Sequence, residues 1–193
     1  MRPDVAGSDR KLMFIRHAEK PSPDGRVQGV TAGGDKDPEE LTVRGWQRAG
    51  ALGRLFAPVT GLPGAPNLAR PRTIFATGPS HHSKSRRPQR TVEPLSALLG
   101  VPVSTDFAVG DELGLADRLS RLDKVALVSW HHEALPAIVN AVTGDTSTCP
   151  QAWPDDRFDV VWVLDRPGGS PAWTFSQVCQ LLLDGDSGLP IAF

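Results

Sequence analysis

Two cysteines, Cys149 and Cys179, are all that this 193-residue chain contains, and they show no metal-ligand spacing. That excludes a disulfide framework and points to reduced thiols in a cytoplasmic protein. Charge of one sign is also lacking: 21 Lys+Arg stand against 22 Asp+Glu, so no global field draws in nucleic acid or a membrane surface. The opening MRPDVAGSDRK has no apolar signal core, and no stretch approaches the roughly 18 apolar residues of a membrane span. The expectation is one soluble domain over residues 1–193, long enough to bury a substantial core. No internal repeat or low-complexity tract interrupts it. The 19 glycines and 18 prolines mark long connections rather than disorder, because the apolar runs between them are regular.

Those runs read as strands: 12–15 (LMFI), 73–76 (TIFA), 125–129 (VALVS) and 159–164 (DVVWVL), with a weaker one at 173–178 (WTFSQV). The first four are continuous rather than alternating, as in strands covered on both faces. Helical spacing lies between them, at 41–52 with Thr42 as N-cap, and at 90–99, 111–122 and 133–142. Alternating strands and helices predict an α/β fold with a doubly wound, mostly parallel sheet flanked by helices. In such sheets the ligand crevice lies beyond the carboxyl ends of the strands. Two Gly/Pro-rich loops stand out, 21–40 and 58–71. The first starts right after Arg16 and His17 and is of functional length, as a lid would be.

All five histidines fall at strand ends: His17 after the first strand, His81 and His82 after the second, His131 and His132 after VALVS. Scattered surface or core histidines would not share that placement. Arginine follows the same bias, with Arg16 beside His17, and with Lys84, Arg86, Arg87 and Arg90 in SHHSKSRRPQRT. A solvated basic loop is the plain reading of that second group. The chemical one is a clamp, since guanidinium forks hold phosphate oxygens in a bidentate way and stay charged. A neutral imidazole beside it can attack phosphorus, with the cations stabilising the transferring phosphoryl group.

RHAEK after a strand resembles the R-H-G/A-E signature of the histidine phosphatase (phosphoglycerate mutase-like) superfamily. LTVRGWQRAGAL is similar to its L-T-x-x-G-x-x-Q-A helix, and RPQRTVEPL to its R-A-x-Q-T-A-E-P-L stretch. VALVSWHHEALPAIVNAV resembles its strand-then-histidine motif, and DRFDVVWVL the late strand of its small phosphatases. Four motifs in order across residues 12 to 142 carry the likeness. It implies a phosphoglycerate mutase-like fold and a phosphoric monoester hydrolase working through a phosphohistidine on His17 without a cofactor or metal. It further implies Arg16 and Arg87 on the phosphoryl oxygens and a second histidine, His131 by distance from the helix proline or His132 by the W-x-H pattern, which the tryptophan favours. The general acid falls on Glu112, with Asp111 beside it, or on Glu133. Asp111 and Glu112 also fit a charged first helical turn. Glu19 is expected near the pocket entrance. His81 and His82 depart from the family's small residues and are candidates for substrate contact.

A metallohydrolase is the main competitor, but no H-x-H, H-E-x-x-H or C-x-x-C spacing occurs and the arginines would repel a cation. A binding module that lost its chemistry is the other class. Arg16, His17, Arg87 and the 131–132 histidines all being present argues against it. KSRRPQR lacks the interleaved aromatics of a nucleic-acid site. A mutase would carry further enclosing segments, so the reading is a phosphatase acting on a small phosphomonoester or a phosphoprotein.

Overall fold

The computed structural model describes residues 10–59, 64–81, 83–168 and 170–193; His82 and part of the 58–71 loop lie outside them. Six strands form one sheet in the order β3-β2-β4-β1-β5-β6. They are β1 (Arg10–Arg16), β2 (Thr73–Ala76), β3 (Val103–Ser104), β4 (Ala126–Trp130), β5 (Val160–Arg166) and β6 (Thr174–Cys179). Pairs β1–β4, β2–β4 and β2–β3 are parallel, whereas β5 runs antiparallel to both its neighbours. Five strands therefore share one direction and β5 alone opposes it.

Strand alternation sorts the core into two halves. Leu12 and Phe14 of β1 join Val128, Trp130 and Trp162 beneath α4 (Glu112–Ser120) and α5 (Leu135–Thr143). Met13 and Ile15 face the other way, with Leu127, Val161 and Val163, beneath α1 (Val43–Ala51), α2 (Gly53–Phe56) and α3 (Arg87–Leu99). Both faces of β1 are covered, which is why its sequence is a continuous apolar run. No helix among the described residues is long and apolar enough to cross a membrane.

Local chemistry sets the helix ends that matter. Thr42 caps α1, its hydroxyl accepting from Gly45 N at 3.1 Å. The same residue donates its backbone N–H to the Glu19 carbonyl at 3.0 Å. Gly45 permits that docking, since a Cβ there would lie 2.7 Å from the Glu19 oxygen. α3 begins at Arg87 with Pro88 in its first turn, three residues before the expected start at 90, and ends at Gly100 in the left-handed conformation (φ 66°).

The loop over residues 21–40 is anchored at several points. Trp46 Nε1 donates to Val30 O at 2.8 Å, and Gly29 forms a β-bridge with Thr42. Its far end rests on α3: the fully buried Glu40 carboxylate accepts from Arg90 Nε at 3.0 Å and from Arg86 Nη1 at 3.4 Å. Arg86 and Arg90 of the basic RRPQR run thus hold this loop through Glu40, and Arg87 adds a bond to Pro38 O.

Candidate active site

Register explains why the site assembles. Arg16 pairs with Trp130 across the parallel β1–β4 ladder, and His17 N donates to Trp130 O at 3.0 Å. The next residues on the two strands, His17 and His131, therefore emerge side by side, with ring centroids 5.5 Å apart in an edge-to-face arrangement. β2 ends at the same edge, Ala76 pairing with Ser129 of β4.

His17 is 3% exposed. Its Nδ1 lies 2.7 Å from the Ala18 carbonyl oxygen, which can only accept, so Nδ1 carries the proton and Nε2 holds the lone pair. Burial drives its pKa well below 6.5. The Ala18 contact opposes that, and the charges of Arg16 and Arg87 reinforce it. A neutral, oriented imidazole with a free Nε2 results.

Arg16, 1% exposed, is fixed along one edge. Nη1 donates to the carbonyls of Pro154 (3.1 Å), Asp155 (2.7 Å) and Arg157 (3.3 Å), and Phe158 lies under the guanidinium at 3.9 Å. Its other edge, Nε and Nη2, is buried with no hydrogen-bond partner in the protein. Leaving such donors unmet is costly, so the edge is suited to an oxyanion. Burial lowers this guanidinium to about 10, with Asp155 and Glu133 pulling the other way, and it remains a cation at neutral pH.

Arg87 repeats the pattern at the start of α3: Nη1 donates to Pro38 O at 2.8 Å while the buried Nε is unpartnered. His131 offers a buried, unpartnered Nε2 as well, and burial lowers its pKa. Four groups thus hold unmet polar atoms or a lone pair at one strand edge.

His132 is placed differently. It is 6% exposed, opens a short 3-10 turn, and lies 3.0 Å from Asp155 through Nε2 and 3.0 Å from Glu133 through Nδ1. His131 is the one set beside His17 by strand register. Glu112, at the start of α4, is steered by Trp130 Nε1 (3.3 Å) and by Gly110 N (3.1 Å to each oxygen), and its charge acts on His131. Asp111 is the residue before that helix and makes no side-chain cap. Glu133 is 71% exposed.

The two expected substrate contacts, Glu19 and His81, have these surroundings. Glu19 turns its carboxylate to Arg48, accepting from Nε at 3.1 Å and from Nη2 at 2.9 Å, with Arg44 Nε at 3.3 Å. Arg48 in turn binds Asp186 and Gln180, so Glu19 ties α1 to the segment beyond β6. His81 is exposed on the bend after β2. Residues that sequence reasoning passed over also belong to the site: Thr91, Asp155 and Phe158. The last two precede β5 in an unremarkable DDRF stretch, and only the tertiary fold brings them to Arg16.

Among the described residues no group of three or more His, Cys, Asp or Glu side chains is placed to hold a metal ion. No family model matches the sequence, and no curated protein matches it. Solved structures do. A histidine-to-alanine variant of phosphoserine phosphatase from Entamoeba histolytica, in complex with phosphoserine, superposes with a TM-score of 0.53 at 14% identity, over 90% of this chain and 99% of that one. A putative phosphohistidine phosphatase from Agrobacterium tumefaciens gives 0.49 at 15% identity (91% and 99% covered). A mycobacterial glucosyl-3-phosphoglycerate phosphatase gives 0.49 at 15% identity (89% and 98% covered). The first likeness establishes a shared α/β fold, in keeping with the α/β architecture expected above.

Proposed function

We propose that the chain is a histidine phosphatase that hydrolyses phosphomonoesters through a phosphohistidine on His17. One observation carries this reading: His17, its Nδ1 turned to the Ala18 carbonyl and its Nε2 left to accept, is buried next in sequence to Arg16, whose buried Nε and Nη2 make no hydrogen bond within the protein and whose charge acts on the imidazole.

In the first step Nε2 of His17 attacks phosphorus and the bond to the ester oxygen breaks. Arg16 Nε and Nη2, Arg87 Nε and His131 Nε2 donate to the non-bridging oxygens, where the transition-state charge lies. Glu112 delivers a proton to the departing oxygen, so the alcohol leaves neutral. As a carboxylate it then takes a proton from water, which attacks the phosphohistidine and frees His17 and inorganic phosphate. Placing His131 in the phosphoryl pocket rests on its position beside His17; His132, with its ring nitrogens near Asp155 and Glu133, supports the pocket wall. The substrate class is a small phosphomonoester or a phosphorylated protein side chain.

Hydrolysis of a generic aryl phosphate by wild type, His17→Ala, Arg16→Ala and Arg87→Ala, with and without EDTA, tests the reading. The expected outcome is chelator-resistant turnover, abolished in His17→Ala and reduced at least ~100-fold in either arginine variant. Full activity in His17→Ala would sink the mechanism, and loss of wild-type turnover in EDTA would point to metal chemistry instead.

A further inference from the structure

The carboxylate of Asp155 stands among the cations of the site in a way the hydrolysis above does not use. Its turn grips Arg16 Nη1 through backbone carbonyls. The side chain is 78% exposed, yet one oxygen, Oδ1, lies 3.0 Å from His132 Nε2, 3.4 Å from Lys20 Nζ and 3.6 Å from Arg16 Nη2. A largely hydrated carboxylate leans a single oxygen on three nitrogens. One of these, Arg16 Nη2, is buried and makes no hydrogen bond within the protein.

That arrangement conflicts with an anionic ligand. An oxygen hydrogen-bonded to Arg16 Nη2 lies about 3 Å from that atom, and hence within about 6.6 Å of Asp155 Oδ1, the sum of that length and the 3.6 Å separation. Like charges so spaced repel enough to weaken binding about threefold per phosphate charge, even at the dielectric of water and at low ionic strength. The same carboxylate also competes for the donors of Lys20 and His132.

We propose that Asp155 is a built-in competitor for the phosphate site: an internal anion that offsets Arg16 and Lys20, engages His132, and weakens the hold on product phosphate. Its effect is to hasten phosphate release and limit product inhibition. The inference rests on the phosphatase reading of the site.

Inorganic phosphate titrated calorimetrically into the full chain at low ionic strength tests it, using wild type, Asp155→Asn, Asp155→Ser, Asp156→Asn and Arg16→Ala. Both Asp155 variants are expected to bind phosphate at least about threefold more tightly, with the gap narrowing in high salt. The inhibition constant of phosphate during turnover should fall in step. Asp156, whose charge acts on Arg16 more weakly than that of Asp155, should give a smaller gain. Unchanged or weaker binding in both Asp155 variants would overturn the proposal, as would an equal gain in Asp156→Asn. If Arg16→Ala binds phosphate as wild type does, the phosphate-handling reading itself fails and this inference with it. If Arg16→Ala loses binding while the Asp155 variants gain none, only the inference falls.

Discussion

Thr91 joins Ala18, the residue after His17, to the helical turn that carries Arg87. Its hydroxyl accepts from Ala18 N at 2.7 Å and donates to Arg87 O at 2.7 Å. His17 and Arg87 are thereby spaced by one buried side chain on α3. Thr91→Val keeps the shape and removes both bonds, leaving the Ala18 N–H buried without an acceptor. The expected cost is about 1–3 kcal/mol of stability, with kcat/KM lower by roughly tenfold as the imidazole loses its spacing. Thr91→Ser should restore most of both. Denaturant titration alongside steady-state kinetics checks this, and an unchanged unfolding midpoint in Thr91→Val would contradict it.

Glu112→Gln separates leaving-group chemistry from binding. A poor leaving group needs its proton and a good one does not. Turnover of an alkyl phosphate should therefore drop by about 100-fold or more, and that of a nitrophenyl phosphate far less. Comparing kcat for the two substrates decides the matter. An equal, small effect on both would move the acid elsewhere, with Glu133 the next to test.

Acid should destabilise the fold earlier than its carboxylates alone would require. His17 titrates well below 6.5 in the folded state, and burial lowers His131 and His132 too. As pH falls below about 6.5 the unfolded chain takes up these protons while the folded one resists, so stability declines until the depressed folded values are reached. His17 alone contributes up to about 1.4 kcal/mol per pH unit across that window. Melting temperatures from pH 8 to 5 should be level above 7 and fall below 6.5, with a shallower fall in His17→Gln. Equal slopes in the two proteins would remove His17 as the cause. The same shift keeps the His17 imidazole neutral in mildly acidic solution.

The Glu40–Arg90 pair should respond unequally to loss of either member. Glu40 is fully buried, whereas the Arg90 side chain is 31% exposed. Arg90→Ala leaves a buried carboxylate with only Arg86 at 3.4 Å and should cost about 3 kcal/mol. Glu40→Gln leaves an arginine that can reach water and should cost less. Urea unfolding of both variants measures the difference, and the reverse order would mean that the carboxylate is not dry.

Most of the sheet was legible because burial writes itself into composition. β1, β2, β4 and β5 were visible as unbroken apolar runs, since helices cover both faces of the strands. The opposed direction of β5 was not, because an apolar run reads the same either way. Thr42 as a helix cap followed from local chemistry, and its hydroxyl does accept from Gly45 N. The convergence of His17 and His131 was foreshadowed by their common position after strands. Roles set by distant partners escaped notice. The sequence around Glu19 and Arg90 does not show their partners, Arg48 and Glu40, which come from distant segments. Asp155 had no local signature at all.

The placement of β1 has a consequence for how the molecule breathes. Flanked by β4 on one side and β5 on the other, it has no free edge to fray. Opening it means parting both ladders, so its amides should exchange with solvent only in the rarest, near-global openings. His17, whose backbone N–H bonds to Trp130 O directly after β1, is thereby tethered to the part of the chain expected to exchange most slowly.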